Sequence, residues 1–166
     1  GNILIFTYGT LKRGFPNYPL IEDISSEEDG AVSHLGTYTT DVPYPLVIGP
    51  NGIPFLVALP GKGQRVKGEL YSLSARGLAR VDELEGTTRG HYERLPVRVV
   101  KTEGNGVVVE TEAYFADKAF GERMWARAGR VGLGEYGPEE AKGYVRPNER
   151  LIGSSFLADV SRFIDE

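Results

Sequence analysis

Glu85 closes a stretch, Ala75 to Glu85, whose apolar residues recur at helical spacing. At about 100° per residue, with Leu78 set at zero, Val81 falls near roughly 300°, Leu84 near roughly 240° and Glu85 near roughly 340°, whereas Arg76, Arg80 and Glu83 point away. The glutamate therefore shares the apolar face, and Asp82 sits at its edge. A carboxylate on the buried side of a helix, in its last turn, feels desolvation and the negative end of the helix dipole, and both raise its pKa. That is how a general base is prepared to work near neutrality. The same placement equally suits a buried glutamate paired with an arginine, for which Arg89, Arg94 and Arg98 are close in sequence.

A second candidate follows the apolar run Asn2–Tyr8. In Tyr8-Gly9-Thr10-Leu11 a glycine directly after a buried strand lets the backbone turn sharply, and the next N–H groups can converge on an anion such as a substrate carboxylate. A plain strand-ending turn has the same residues. The loop lacks GxxxxGK[ST] spacing, which disfavours ATP or GTP. Tyr44, held extended between Pro43 and Pro45, can present its hydroxyl to a cleft or pack in the core. Glu69 is the rival carboxylate, but strand alternation groups it with Lys67 and Tyr71 on an expected solvent face. Tyr114 alternates with Glu110 and Glu112, which predicts exposure unless a bulge or barrel lumen reverses the reading. His91 and Trp125 read as packing or rim residues.

Composition narrows the chemistry further. The 166 residues contain no cysteine, which removes disulfides, thiolate nucleophiles and sulfur-based zinc sites. The two histidines, His34 and His91, are too far apart for a short metal motif, and no GxSxG elbow is present. A metal held by carboxylates alone stays open; otherwise carboxylates, hydroxyls and backbone amides must do the work. The net charge of −4, with basic residues only in short clusters such as Lys12-Arg13 and Lys62/Arg65/Lys67, argues against nucleic acid as a partner. No apolar run is long enough to span a bilayer. We expect a cytoplasmic, monomeric protein without membrane partners.

The elements that must position these residues are mostly strands. Strand-like stretches at Asn2–Tyr8, Ala31–Tyr38, Leu46–Ile48, Phe55–Leu59, Arg65–Leu73, Glu93–Thr102 and Val107–Phe115 are separated by Pro/Gly turns. The first should be central in its sheet, because both its faces are apolar. Asn105-Gly106 predicts a type I′ hairpin joining the last two strands. The acidic run Glu22–Asp29 reads as a solvated loop. Ser74 can cap the middle helix and Gly86 can end it in the left-handed conformation; weaker helices are expected around Ala119–Ala128 and from a Ser154 or Ser155 cap through Phe163. Many strands with few helices and no βαβ alternation predict a single α+β domain over residues 1–166, a small mixed, mostly antiparallel barrel or curled sheet with flanking helices and a helical extension at about 154–166.

The segments FTYGTLKRGFPNY, YPLVIGPNGIPFLVALPGKG, VKGELYSL and VDELEGTTRGHYER, in that order, resemble the γ-glutamylamine cyclotransferases. These belong to the wider γ-glutamyl cyclotransferase-like family, which includes plant avirulence-induced-gene-like proteins. The resemblance covers most of Ile3–Phe115; the segment Lys118–Glu166 is less alike, apart from an echo in YVRPNER at Tyr144–Arg150. It implies a small mixed barrel with flanking helices and a cofactor-independent, metal-free enzyme. In the family the α-amine of a small γ-glutamyl substrate attacks its own γ-carbonyl, releasing 5-oxoproline and a free amine. The family's catalytic glutamate falls on Glu85 and its substrate loop on Tyr8, Gly9, Thr10 and Leu11, with Tyr44 in the shared proline-flanked segment. Two alternatives stand beside this reading: a cyclotransferase acting on γ-glutamyl amino acids, and a catalytically silent stress-response binding module of the same fold.

Overall fold

The computed structural model describes residues 2–27 and 31–166. Along the chain run β1 (Ile3–Thr7), α1 (Tyr18–Ser26), β2 (Val32–Thr40), β3 (Leu46–Ile48), β4 (Pro54–Leu56) and β5 (Lys67–Leu73). The second part comprises α2 (Ala75–Glu85), β6 (Tyr92–Lys101), β7 (Val108–Ala116), α3 (Gly121–Arg127), α4 (Pro138–Ala141) and α5 (Phe156–Asp165). The strands are ordered β1-β5-β2-β6-β7, and β7 meets β1 again in parallel, Ile5 opposite Glu112, which closes a five-stranded barrel. The short pair β3–β4 is appended through a parallel contact of Leu56 with Phe115. The remaining pairings are antiparallel, so the α+β mixed barrel expected from the sequence is the observed fold.

Two apolar clusters fill the molecule. Phe6, Leu70, Val97, Val99, Ala113 and Phe115 belong to one made of strand and loop residues, the lumen of the barrel. Ile5, Tyr71, Leu73 and Tyr114, on the opposite strand faces, join Ile21, Ile24, Leu78, Val81, Met124 and Val160 from the helices in the other. The barrel's outer face is thus covered along these strands, and this reverses two expectations. Tyr114 is buried, and so is Tyr71; Glu69, on the same face as Tyr71, is half-buried and accepts from the Tyr71 hydroxyl (2.8 Å) and the Arg13 N–H (2.9 Å).

The cover over β5 is itself a correction. Residues read as a solvated acidic loop begin in α1, which carries Pro19 in its first turn and turns Ile21 and Ile24 inward. Its neighbour Glu27 pairs with Arg76 and Arg80 of α2. Glu28 and Asp29, the end of that acidic run, lie outside the described residues. The 105–106 turn also differs. Gly106 has positive φ but Asn105 does not; instead Asn105 Oδ1 accepts the Val107 N–H at 3.1 Å, and the loop spans 102–107 between antiparallel β6 and β7. Helix α2 follows its predicted boundaries. Ser74 Oγ accepts the Gly77 N–H (3.1 Å), and Gly86 ends the helix at φ 63°, where a Cβ would also lie 2.5 Å from the His91 ring. Helix α5 is capped by Ser155, whose Oγ accepts from Ala158 at 3.2 Å.

Candidate active site

The end of α2, the exit of β1 and the C-terminal segment meet around a cavity of about 150 Å³. Glu85 lines it, together with Tyr8, Gly9, Thr10 and Leu11. Leu78 and Val81 anchor the inner face of α2 in the core, which turns Glu85 one turn later toward the same interior, while Leu84 stands at the rim, 44% exposed. Tyr8, Tyr92 and Tyr114 are the buried aromatic lining. All three commit their hydroxyl protons to the protein: Tyr8 to the Tyr114 carbonyl (2.6 Å), Tyr92 to the Pro54 carbonyl (3.0 Å) and Tyr114 to Asp82 Oδ1 (2.6 Å).

The arginines suggested as partners for Glu85 bind elsewhere. Arg94 grips Asp82 through Nε (3.0 Å) and Nη2 (3.2 Å) and reaches Glu112 through Nη1 (2.6 Å). Arg89 pairs with Glu83, and the exposed Arg98 of β6 lies in register with Glu110 of β7. Among the described residues Glu85 has no ion-pair or hydrogen-bond partner. Burial pushes its pKa up to about 8, and the neighbouring Asp82 carboxylate adds to the rise. His91, on the wall, is pushed down by burial and by Arg89, and its ring stacks on Phe156 at 4.1 Å.

The loop after β1 offers donors. The N–H groups of Gly9, Thr10 and Leu11 find no acceptor in the protein among the described residues, while Lys12 N–H closes the turn onto the Gly9 carbonyl (3.1 Å). Asn17 clamps it, its backbone N–H donating to the Thr10 carbonyl (2.8 Å) and Nδ2 to Thr10 Oγ1 (2.8 Å). Gly9 is required by contact, because a Cβ there would sit 2.6 Å from Pro54 Cγ on the cavity wall. An unpaired acid faces free amide donors across a small cavity, which suits proton transfer to and from a bound carboxylate-bearing substrate.

Tyr44 is not brought to this site. Its ring packs on Phe115 (5.4 Å), its backbone bridges to Gln64, and it borders a separate cleft with Asp41, Arg98 and Thr111. Tyr44 packs against the lumen cluster, whereas the inner face of α2 belongs to the other cluster. Sequence reasoning missed Asn17, Tyr92, Tyr144, Arg150 and Phe156, and it placed Tyr114 outside. The echo of YVRPNER was the one signal for Tyr144 and Arg150; Phe156 had none, since α5 reaches the cavity only through tertiary packing. Among the described residues no group of three or more His, Asp or Glu is arranged to hold a metal, and no helix is long and apolar enough to cross a membrane.

Residues 5–136 match the family described as gamma-glutamyl cyclotransferase, AIG2-like. A protein of Arabidopsis thaliana carrying the provisional name gamma-glutamylcyclotransferase is 45% identical over 97% of this chain and 91% of its own length. Gamma-glutamylaminecyclotransferase B of Danio rerio is 40% identical over 74% of this chain and 62% of that protein. The crystal structure of a mouse AIG2-like protein superposes with a TM-score of 0.74 at 32% identity, covering 90% of this chain and 99% of that one. The barrel from Ile5 onward, the loop after β1 and the glutamate ending α2 lie inside the matched region, and the chain belongs to the γ-glutamyl cyclotransferase, AIG2-like family.

Proposed function

We propose that the protein is a γ-glutamylamine cyclotransferase, with Glu85 as its acid and base. The observation that carries this reading is the unpaired Glu85 carboxyl in the cavity wall, its pKa lifted to about 8. An α-ammonium at a peptide N-terminus has a pKa of about 8, and the free α-carboxylate beside it in a γ-glutamyl group raises that further, so the raised pKa of Glu85 narrows the gap for proton transfer relative to an ordinary glutamate. In the empty site Glu85 is mostly protonated at neutral pH. An arriving ammonium favours the carboxylate, so the carboxyl proton is released to solvent and the ion pair then shares the ammonium's transferable proton.

The freed amine attacks the γ-carbonyl within the same molecule, so the protein's task is to hold the glutamyl chain folded. The new N–C bond forms a tetrahedral oxyanion; the old amide C–N bond then breaks. The ammonium gives up two protons on becoming the lactam N–H, and the departing nitrogen gains two on leaving as an ammonium. Glu85 carries them in turn. The Gly9–Leu11 amides hold the α-carboxylate or the oxyanion, and the three committed tyrosines keep the lining rigid. The nucleophile comes from the substrate, so this mechanism calls for no cofactor.

Glu85→Gln keeps the shape and removes the proton acceptor. With γ-glutamyl-ε-lysine as substrate it should lower kcat by roughly 10²–10⁴-fold while the circular dichroism spectrum is retained. Undiminished 5-oxoproline release by the variant would remove Glu85 from the mechanism.

A further inference from the structure

The rim of the cavity carries a cation that the chemistry above leaves unused. Arg150 lines the cavity, and its Nε donates to the Val145 carbonyl at 2.9 Å, which fixes the guanidinium plane. Among the described residues no carboxylate pairs with it, in contrast to Arg94, which is held between Asp82 and Glu112. Beside it stands the Tyr144 hydroxyl. That oxygen faces two nitrogen donors, Asn17 Nδ2 at 3.3 Å and, more loosely, Arg150 Nη2 at 3.4 Å. Neither donor can accept, so the Tyr144 proton is directed elsewhere and is available to a ligand. A fixed guanidinium and a free O–H thus converge with no acceptor opposite them. The group that satisfies both is a carboxylate.

Depth decides which carboxylate. Phe6, Tyr8, Leu11 and Tyr114 are buried at the floor, whereas Tyr144, Arg150 and Pro147 are half-buried or exposed. With its amine at Glu85, and with the α-carboxylate taken as the group the loop amides hold, a γ-glutamyl group occupies the floor and the amide's other substituent extends outward past this rim. We propose that Arg150 and Tyr144 form a subsite for the leaving amine that selects one carrying its own carboxylate. The inference rests on the cyclotransferase reading and adds what that reading does not supply. Both residues lie beyond residue 136, where the family model's match ends.

Two substrates that differ by one carboxylate test it: γ-glutamyl-ε-lysine and γ-glutamyl-cadaverine. The native protein should show a kcat/KM for the first roughly tenfold to hundredfold above the second, with most of the difference in KM. In R150Q this ratio should fall toward one, and R150K should restore part of it, since a lysine keeps the charge and loses the fork. Equal kcat/KM for both substrates in the native protein overturns the subsite and leaves the cyclotransferase reading intact. So does a ratio unchanged in R150Q, including the case where both substrates decline together because Arg150 holds the glutamyl carboxylate instead. Turnover of neither substrate by the native protein ends both proposals.

Discussion

The raised pKa of Glu85 has a consequence for folding that needs no substrate to test. In the unfolded chain the carboxyl ionises near its ordinary value of 4.5, whereas in the folded protein it keeps its proton up to about 8. Between these values the native state binds the extra proton, so stability falls as pH rises. Glu85 imposes no penalty below about pH 4.5, and the whole penalty is present above about pH 8. An interval of about 3.5 pH units at about 1.36 kcal/mol each gives a loss of roughly 5 kcal/mol. Glu85→Gln has no such proton to lose. Urea unfolding of both proteins at pH 4.5, 6, 7 and 8.5, followed through the buried single tryptophan Trp125, reads the difference directly. Titrating groups that do not interact with Glu85 cancel between the two proteins. The variant should gain stability relative to the native protein by about 3–5 kcal/mol from pH 4.5 to 8.5. Parallel pH profiles, differing by a constant, would refute the claim that burial and Asp82 make Glu85 hard to ionise.

Further perturbations probe the surroundings of the same carboxyl. Asp82→Asn removes the negative charge that raises Glu85 while leaving an oxygen for the Tyr114 hydroxyl, so the bend in the pH profile of kcat/KM should move to lower pH; an unmoved bend would assign the shift to burial alone. Gly9→Ala drives a Cβ against Pro54, and should cost about 1–3 kcal/mol in thermal unfolding and depress kcat/KM by displacing the loop amides; native activity in this variant would show that the loop does not hold substrate.

Local rules were sufficient for much of this molecule. The capping serine, the left-handed glycine and the 3.6-residue period of α2 placed Glu85 on the inner face of its helix, because each acts within a few residues of itself. The strand–glycine exit at Tyr8-Gly9 was legible for the same reason. Errors arose where a face had to be assigned to solvent or interior. Alternation along β5 and β7 correctly separated two faces, yet it took the face bearing Tyr71 and Tyr114 as exposed, since nothing in the strands announces that helices cover it. The helix α1 that provides part of that cover was hidden by its acidic residues, and Tyr44 was drawn toward the site by its prolines although its strand neighbours lead elsewhere.

By itself the sequence narrowed the chemical repertoire: without cysteine, and with two distant histidines, it left carboxylates, hydroxyls, backbone amides and a carboxylate-held metal, and helical periodicity set Glu85 on the apolar face of its helix. Only the tertiary structure decided that Glu85 stays unpaired, because whether Arg94 reaches Glu85 or Asp82 depends on where β6 lies against α2. It alone also brought Arg150, Tyr144 and Phe156 to the rim of that carboxylate's cavity, from a segment more than fifty residues further along the chain. Spacing encodes contacts within an element; the partners of a buried charge are set by contacts between elements.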